Sequence, residues 1–155
     1  MASGVEVGAK APEFSLPDQD GNLVTLKSLK GKQAVLYFYP KDDTSGCTKE
    51  ACDFRDSLAA IKKTGAVVIG VSKDGKTSHQ KFIAKYGLPF ALLSDEDTAV
   101  STAYDVYKEK SMYGRKYMGI ERSTFVIDAT GRIKASFRKV KVPGHVEEVL
   151  AALKA

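Results

Sequence analysis

The chain has 155 residues, 43% hydrophobic and 28% charged, which is ordinary for a globular protein that buries one core. No run approaches the ~18 consecutive apolar residues that span a bilayer, and residues 1–8 lack the basic start and apolar stretch of a secretory signal. The formal net charge of +5 is spread along the chain, whereas nucleic-acid binding usually shows clustered Lys and Arg, so we expect neither a membrane nor a nucleic-acid partner.

Strand candidates are apolar runs that end at turn residues. Residues 14–16 and 23–25 flank the turn sequence Asp18-Gln-Asp-Gly21 and predict an N-terminal β-hairpin. Residues 34–39 and 66–71 are continuous apolar runs, typical of central strands that are covered on both faces. Further strands are predicted at 90–93, 124–127 and 133–137.

Helices are predicted between these strands. Residues 47–63 carry an apolar stripe at spacings of three and four, formed by Ala51, Phe54, Leu58 and Ile61. Other helix candidates are 77–86, 98–104 and 145–153. Alternating strands and helices, then a hairpin and a last helix, indicate an α/β fold in which helices flank a mixed central sheet. The basic segment 132–141 reads as an edge strand with a solvated face.

The chain has no internal repeat or linker, so we expect a single domain over residues 1–155. The absence of a signal favours the cytoplasm. The helix faces show no additional apolar patch, which favours a monomer.

Cys47 and Cys52 are the only two cysteines. A structural disulfide would not persist in a reducing cytosol, and two cysteines fall short of the four ligands that a structural zinc site needs. The two thiols are therefore better interpreted as chemically active than as structural.

The segment from Tyr39 to Cys52 runs from a strand end through a polar loop into a helix. Reactive groups collect at this edge of an open α/β sheet. Cys47 falls in the first helical turn, where unpaired N–H groups and the helix dipole favour an anion such as a thiolate. The apolar stripe begins at Cys47, so its sulfur should point toward the sheet.

A thiolate alone does not make a fast enzyme, because a more acidic thiol is also a weaker nucleophile. Rate must come from donors that hold the substrate and stabilise charge on its leaving atom. Thr44 can supply a hydroxyl. Arg122, just before the strand at 124–127, is a better guanidinium candidate than Arg55, which lies two helical turns from Cys47.

Cys52 follows Cys47 by five residues. On a regular helix five residues advance about 7.5 Å, beyond the ~7 Å Cα separation that a disulfide tolerates. If these thiols pair, the first turns of the helix must unwind.

The residues around Cys47 resemble those of a peroxiredoxin. Pro40, Thr44 and Cys47 match the Pro-x-x-x-Thr-x-x-Cys loop of that family, and Arg122 matches its arginine. The spacing of Cys52 extends the resemblance to the bacterioferritin-comigratory, or Q-type, peroxiredoxins.

Two further segments carry the same resemblance, namely Met112-Tyr-Gly114 and the stretch 144–150. The likeness covers the chain from Gly8 to Leu153. Ser45 stands where relatives commonly have proline, and Tyr107 where many have tryptophan.

The resemblance implies a thioredoxin-like fold and a peroxidase that reduces hydrogen peroxide and organic hydroperoxides for antioxidant defence. Cys47 would pass through a sulfenic acid and Cys52 would resolve it within the same chain. Pro40 would shield the thiolate and Thr44 would position the peroxide. Thioredoxin or glutaredoxin would be the reductant, with no bound cofactor or metal.

The residues alone leave three other functions open for this pair of cysteines. A disulfide reductase typically uses a closer Cys-x-x-Cys pair. A copper carrier could use the two thiols and a histidine, but His79 lies among polar residues of a helix, where a solvated histidine is expected, and His145 is better placed to start the last helix. A cysteine hydrolase needs a base beside the thiol, and neither histidine is evidently placed for that.

Overall fold

The protein is described by a computed structural model for residues 5–155. Its strands are β1 (Ser15–Pro17), β2 (Leu23–Thr25), β3 (Ala34–Phe38), β4 (Val67–Ser72), β5 (Ala91–Ser94), β6 (Tyr107–Met112), β7 (Arg115–Ile120), β8 (Ser123–Ile127) and β9 (Ile133–Phe137). Its helices are α1 (Ser45–Asp56), α2 (Leu58–Lys63), α3 (Lys76–Tyr86), α4 (Ala99–Ala103) and α5 (His145–Lys154), with a 3-10 turn at Lys27–Leu29. Residues 1–4, half of the segment searched for a signal, lie outside the described residues.

The central sheet has the strand order β5-β4-β3-β8-β9. β3 pairs in parallel with β4 and antiparallel with β8, so the sheet is mixed. Every residue of β3 is buried, as the continuous apolar run predicted. The predicted mixed sheet between helices and the N-terminal hairpin of β1 and β2 are both confirmed.

Two apolar cores lie on the two faces of this sheet. Successive residues of a strand face opposite sides, so Leu36 and Phe38 of β3 enter one core. Val35 and Tyr37 enter the other core, which also contains Cys47. The Cys47 side chain therefore points toward the sheet, as the apolar stripe predicted.

The predicted single helix over residues 47–63 is wrong, because two helices, α1 and α2, meet at Ser57. Ser57 has φ −102° and ψ 4°, which turns the chain out of the helical path. Phe54 and Leu58, on either side of this junction, are both buried. The apolar spacing continues across the junction because both helices bury the same side, so the periodicity did not reveal the break.

β6 and β7 form an antiparallel ribbon that the sequence analysis did not predict. Charged residues interrupt its apolar positions, so it lacks the alternation that marks a half-buried strand. Exposed apolar side chains occupy the ribbon, and Tyr113 at its turn is 98% exposed. This surface lies outside the helix faces on which the expectation of a monomer rests.

β9 lies at the edge of the sheet, as expected for the basic segment 132–141. Lys134 on this strand donates to Gln33 Oε1 at 3.0 Å and to the Leu153 carbonyl at 3.2 Å. Among residues 5–155 no helix is long and apolar enough to cross a membrane.

Candidate active site

Cys47 is the third residue of α1, which begins five residues after Pro40. Thr44 caps the helix with extended backbone angles, and its carbonyl accepts from Thr48 N at 2.8 Å, which closes the first turn. The sulfur therefore lies where the positive end of the helix dipole acts on it. Cys47 is 2% exposed, so the thiol is almost enclosed by protein.

Arg122, in the short connection between β7 and β8, extends to the same point. Its Nη2 lies 3.3 Å from Cys47 Sγ, and its Nη1 donates to Glu50 Oε1 at 2.7 Å. One planar guanidinium thus contacts both side chains through separate nitrogens. A Cβ on Gly46 would lie 3.1 Å from Arg122 Nη2, so the small residue beside Cys47 leaves room for this approach.

Glu50 is a site residue that the sequence analysis missed. Its side chain is fully buried, and burial raises its pKa from the ordinary value of 4.5 to about 7, although the charge and hydrogen bond of Arg122 act against this rise. Glu50 lies three residues after Cys47, one helical turn on the same face. A carboxylate at that position of a buried helix face is the signal that could have identified it.

Two polar atoms near Glu50 are buried without a hydrogen-bond partner among residues 5–155, namely Glu50 Oε2 and the Tyr37 hydroxyl. Burial raises the pKa of Tyr37, and the negative charges of Glu50 and Cys47 raise it further. Tyr37 therefore keeps its proton and is a neutral hydroxyl in the core that also contains Cys47. Buried polar atoms of this kind are expected to have partners such as ordered water.

Lys110 of β6 brings a second cation to the neighbourhood of the thiol. Its Nζ donates to the Ile120 carbonyl at 2.5 Å. Burial lowers the pKa of Lys110, and the charge of Arg122 lowers it further. Lys110 was not a predicted site residue, because its strand β6 was not predicted.

Thr44 and Pro40 lie in the loop before α1. Thr44 Oγ1 donates to the Lys41 carbonyl at 2.9 Å, so its hydroxyl hydrogen is directed at the loop backbone rather than at the sulfur. Pro40 is half-buried. Arg55, the other arginine considered, donates to the Tyr86 carbonyl at 2.7 Å and is held away from the thiol.

Cys52 lies on the same helix as Cys47, and both cysteines are free thiols. Cys52 is half-buried, whereas Cys47 is buried. The helix is intact between them, and this is the arrangement in which the two sulfurs are too far apart to bond.

The expectation of a solvated His79 is wrong. His79 is 0% exposed, with Nδ1 2.7 Å from Asp42 Oδ2 and Nε2 3.0 Å from the Leu93 carbonyl. His145 does begin α5, as expected, but it is also buried, with Nε2 2.8 Å from Thr124 Oγ1. The physical reason is that each ring finds polar partners inside the protein, which the local sequence could not show.

The described residues, 5–155, contain no group of three or more His, Cys, Asp or Glu side chains that could hold a metal ion.

Comparison with known proteins relates this arrangement to one family. Residues 7–136 match the AhpC/TSA family. A putative peroxiredoxin bcp from Coxiella burnetii is 56% identical over 149 residues, covering 96% of this chain and 99% of that protein. Peroxiredoxin Bcp from Bacillus subtilis is 53% identical over 150 residues, covering 97% of this chain and 96% of that protein.

Solved structures give the same relationship. A cysteine-to-serine mutant of PrxQ from Xylella fastidiosa superposes with a TM-score of 0.92 at 43% identity, covering 99% of this chain and 98% of that one. The bacterioferritin comigratory protein of Xanthomonas campestris, studied for alkyl peroxide reduction, superposes with a TM-score of 0.87 at 48% identity, covering 91% of this chain and 90% of that one. The predicted thioredoxin-like fold is confirmed by these matches.

Proposed function

This chain belongs to the AhpC/TSA family, as a peroxiredoxin of the bacterioferritin-comigratory, Q-type group, and we propose that it reduces hydrogen peroxide and organic hydroperoxides through Cys47. The observation that carries this assignment of residues is the 3.3 Å contact of Arg122 with the Cys47 sulfur at the start of α1. Peroxiredoxins are thiol peroxidases and antioxidant enzymes, so the proposal concerns which residues act and how.

In the first step the Cys47 thiolate attacks the terminal oxygen of the hydroperoxide. An S–O bond forms, the O–O bond breaks, and sulfur is oxidised to a sulfenic acid. The leaving oxygen departs as an alkoxide or hydroxide and takes a proton to become alcohol or water. The guanidinium of Arg122 has donors beside the sulfur, where it can also bind the peroxide oxygens as negative charge develops on them.

The loop before α1 completes the proposed peroxide site. Thr44 keeps its hydroxyl oxygen at the helix start, where it would accept a hydrogen bond from the peroxide O–H while it donates to Lys41. Pro40 would shield the thiolate from bulk water. Because Cys47 is almost enclosed, a small displacement of this loop is part of peroxide entry in our proposal.

In the second step the Cys52 sulfur attacks the sulfenic sulfur of Cys47. An S–S bond forms, the S–O bond breaks, and the hydroxyl group leaves with the Cys52 proton as water. Because both residues lie on the intact helix α1, the helix must unwind at its amino end before the sulfurs meet.

A thiol reductant then restores both cysteines by disulfide exchange. We propose thioredoxin, or alternatively glutaredoxin, for this role, because the exchange needs an attacking dithiol. We also retain the predictions of a monomer, of a single domain over residues 1–155 and of a cytoplasmic location.

The test is peroxide consumption with a thioredoxin system, comparing wild type, Cys47→Ser and Cys52→Ser. We expect Cys47→Ser to lose all turnover, because serine at this position cannot be oxidised by peroxide. We expect Cys52→Ser to complete one oxidation per molecule, seen by mass spectrometry as a sulfenic acid at Cys47, and then to recycle poorly.

The two variants are matched controls, since each exchanges one sulfur for oxygen on the same helix. Turnover that survives in Cys47→Ser would exclude the mechanism. Full turnover in Cys52→Ser would keep the peroxidase assignment and exclude Cys52 as the resolving thiol.

A further inference from the structure

A buried polar cluster beside the active-site loop has no part in the chemistry proposed above. Asp42 lies in the loop between β3 and α1, two residues before Thr44, and its side chain is 3% exposed. His79 lies on α3 and is 0% exposed. The cluster is formed by these two residues with Tyr39 and Ser78.

The Asp42 carboxylate is the centre of this cluster. It accepts from the Tyr39 hydroxyl at 2.5 Å, from Ser78 Oγ at 2.8 Å, and lies 2.7 Å from His79 Nδ1. The backbone N–H of Asp42 donates to Asp74 Oδ2 at 2.8 Å. Side chain and backbone together attach this loop residue to α3 and to the segment that precedes α3.

His79 connects the cluster to the sheet. Its Nε2 lies 3.0 Å from the carbonyl of Leu93 in β5, so each ring nitrogen faces an oxygen that can accept a hydrogen bond. A neutral imidazole has only one N–H. Both ring contacts of His79 are hydrogen bonds only if His79 and Asp42 together carry one additional proton. That proton is either on the ring, which is then an imidazolium beside a carboxylate, or on Asp42.

Asp42 is linked to the reacting groups through its neighbours in the loop, Lys41, Asp43 and Thr44. Thr44 Oγ1 donates to the carbonyl of Lys41, the residue next to Asp42. Asp43 has φ 57°, in the left-handed region where aspartate is among the commoner of the few non-glycine residues, and its carboxylate accepts from Lys85 Nζ and the Tyr86 hydroxyl of α3, each at 2.9 Å. The loop is therefore held by contacts with α3 in addition to its own hydrogen bond between Thr44 and Lys41.

We propose that His79 is a positioning residue for the peroxidase reaction, which holds the Asp42 carboxylate against helix α3 through Nδ1 and thereby fixes the loop and the start of α1 against Arg122. This inference rests on the function proposed for Cys47. Loss of the contact between His79 and Asp42 should slow oxidation of Cys47, because the peroxide site is less often assembled. It should also speed disulfide formation, because α1 unwinds more readily.

Two amide substitutions at His79 each retain one of the two hydrogen bonds of the ring and remove the other. The amide nitrogen of asparagine falls near the position of Nδ1, and that of glutamine near the position of Nε2. His79→Asn therefore retains a donor to Asp42, whereas His79→Gln retains a donor to Leu93. A residue that merely fills the core would tolerate or resist both changes alike.

The experiment mixes each reduced variant with hydrogen peroxide, quenches with a thiol-alkylating reagent and follows Cys47 oxidation and disulfide formation by mass spectrometry. We expect His79→Gln to slow oxidation about tenfold, as for one lost hydrogen bond to a charged group, and to accelerate disulfide formation. His79→Asn should stay within about threefold of wild type in both steps. Ser78→Ala, which removes one donor to Asp42 without disturbing the ring, should act like His79→Gln but more weakly.

Nitrogen NMR of the wild-type side chain provides a second readout. We expect the proton between His79 Nδ1 and Asp42 to exchange slowly and the Nε2–H to be present. Equal rates in the Asn and Gln variants, or a freely exchanging Nδ1 site, would overturn the proposal. A wild type that does not react with peroxide would instead overturn the function proposed for Cys47.

Discussion

Glu50 and Cys47 share the guanidinium of Arg122 through separate nitrogen atoms. The arrangement places two acidic groups against one cation in a buried site. Because Glu50 carries a proton up to about pH 7, the positive charge of Arg122 is directed mainly at the sulfur below that pH. Above it, an ionised Glu50 competes for the same charge. Arg122 is therefore shared between two side chains, and the ionisation of Glu50 makes this sharing depend on pH.

Glu50 should leave a pH-dependent trace in stability. Its pKa in the folded protein is about 7 against an ordinary value of 4.5, so its contribution to folding is fully present below pH 4.5 and is lost as pH rises to about 7. At ~1.36 kcal/mol per pH unit the loss is at most roughly 3 kcal/mol. Urea unfolding of reduced wild type and of Glu50→Gln at pH 5 and pH 8 measures this loss. The free energy of unfolding of Glu50→Gln, relative to that of wild type, should be higher at pH 8 than at pH 5.

Glu147→Gln, at an exposed carboxylate of α5, is the control and should track wild type at both pH values. Parallel pH profiles for wild type and Glu50→Gln would contradict the raised pKa of Glu50.

Among the helices, the break between α1 and α2 separates the helix that carries both cysteines from a second, shorter helix. Both cysteines lie on α1. α2 is a separate short helix whose Leu58 and Ile61 are buried. A continuous helix over residues 47–63 would unwind against the packing of its own second half. In the mechanism that we propose, the junction at Ser57 would let α1 open while α2 stays in place.

Oxidation should therefore increase amide hydrogen exchange in residues 45–53 and leave residues 58–63 protected. The reason is that the disulfide cannot form on an intact helix, whereas α2 keeps its own contacts. Hydrogen-exchange mass spectrometry on reduced and peroxide-treated protein measures both segments.

Peroxide-treated Cys52→Ser is the matched control, since it can be oxidised at Cys47 but cannot close the disulfide. Its α1 amides should stay protected. Equal exchange of both segments in the oxidised wild type would contradict a local unwinding.

For the whole molecule, the central sheet divides the apolar core into two. The core that contains Cys47 also contains Phe54 of α1, whose ring stacks on Tyr37 with centroids 4.8 Å apart. The opposite core contains Ile69 and Leu36. Both cores contribute to stability, but only one of them supports the thiol. Stability and reactivity should therefore be separable by the choice of face.

Ile69→Val should lower the free energy of unfolding by about 1 kcal/mol and leave the rate of Cys47 oxidation within about twofold of wild type. Phe54→Leu should cost stability and also slow oxidation, because α1 loses its contact with Tyr37. Denaturant unfolding and the quenched peroxide reaction measure the two effects. A large loss of rate in Ile69→Val would show that the two faces are coupled.

Several features could be predicted from the sequence because their signals are local. The apolar run of β3, the turn at Asp18–Gly21 and the stripe that begins at Cys47 all depend on residues within a few positions of one another. The loop from Pro40 to Cys47 was recognisable for the same reason. These signals were enough to predict a mixed α/β fold and a thiol at the start of a helix.

Other features depend on contacts between distant parts of the chain, which no local sequence pattern records. Arg122 meets Cys47 across 75 positions. Its place just before a predicted strand made it a candidate, but its bridge to Glu50 was not predicted. His79 meets Asp42 across 37 positions, so a histidine among polar neighbours proved to be buried. The sequence alone determined which chemistry the chain carries, whereas packing decided which charges share one enclosed site, because burial and partners are properties of the assembled core.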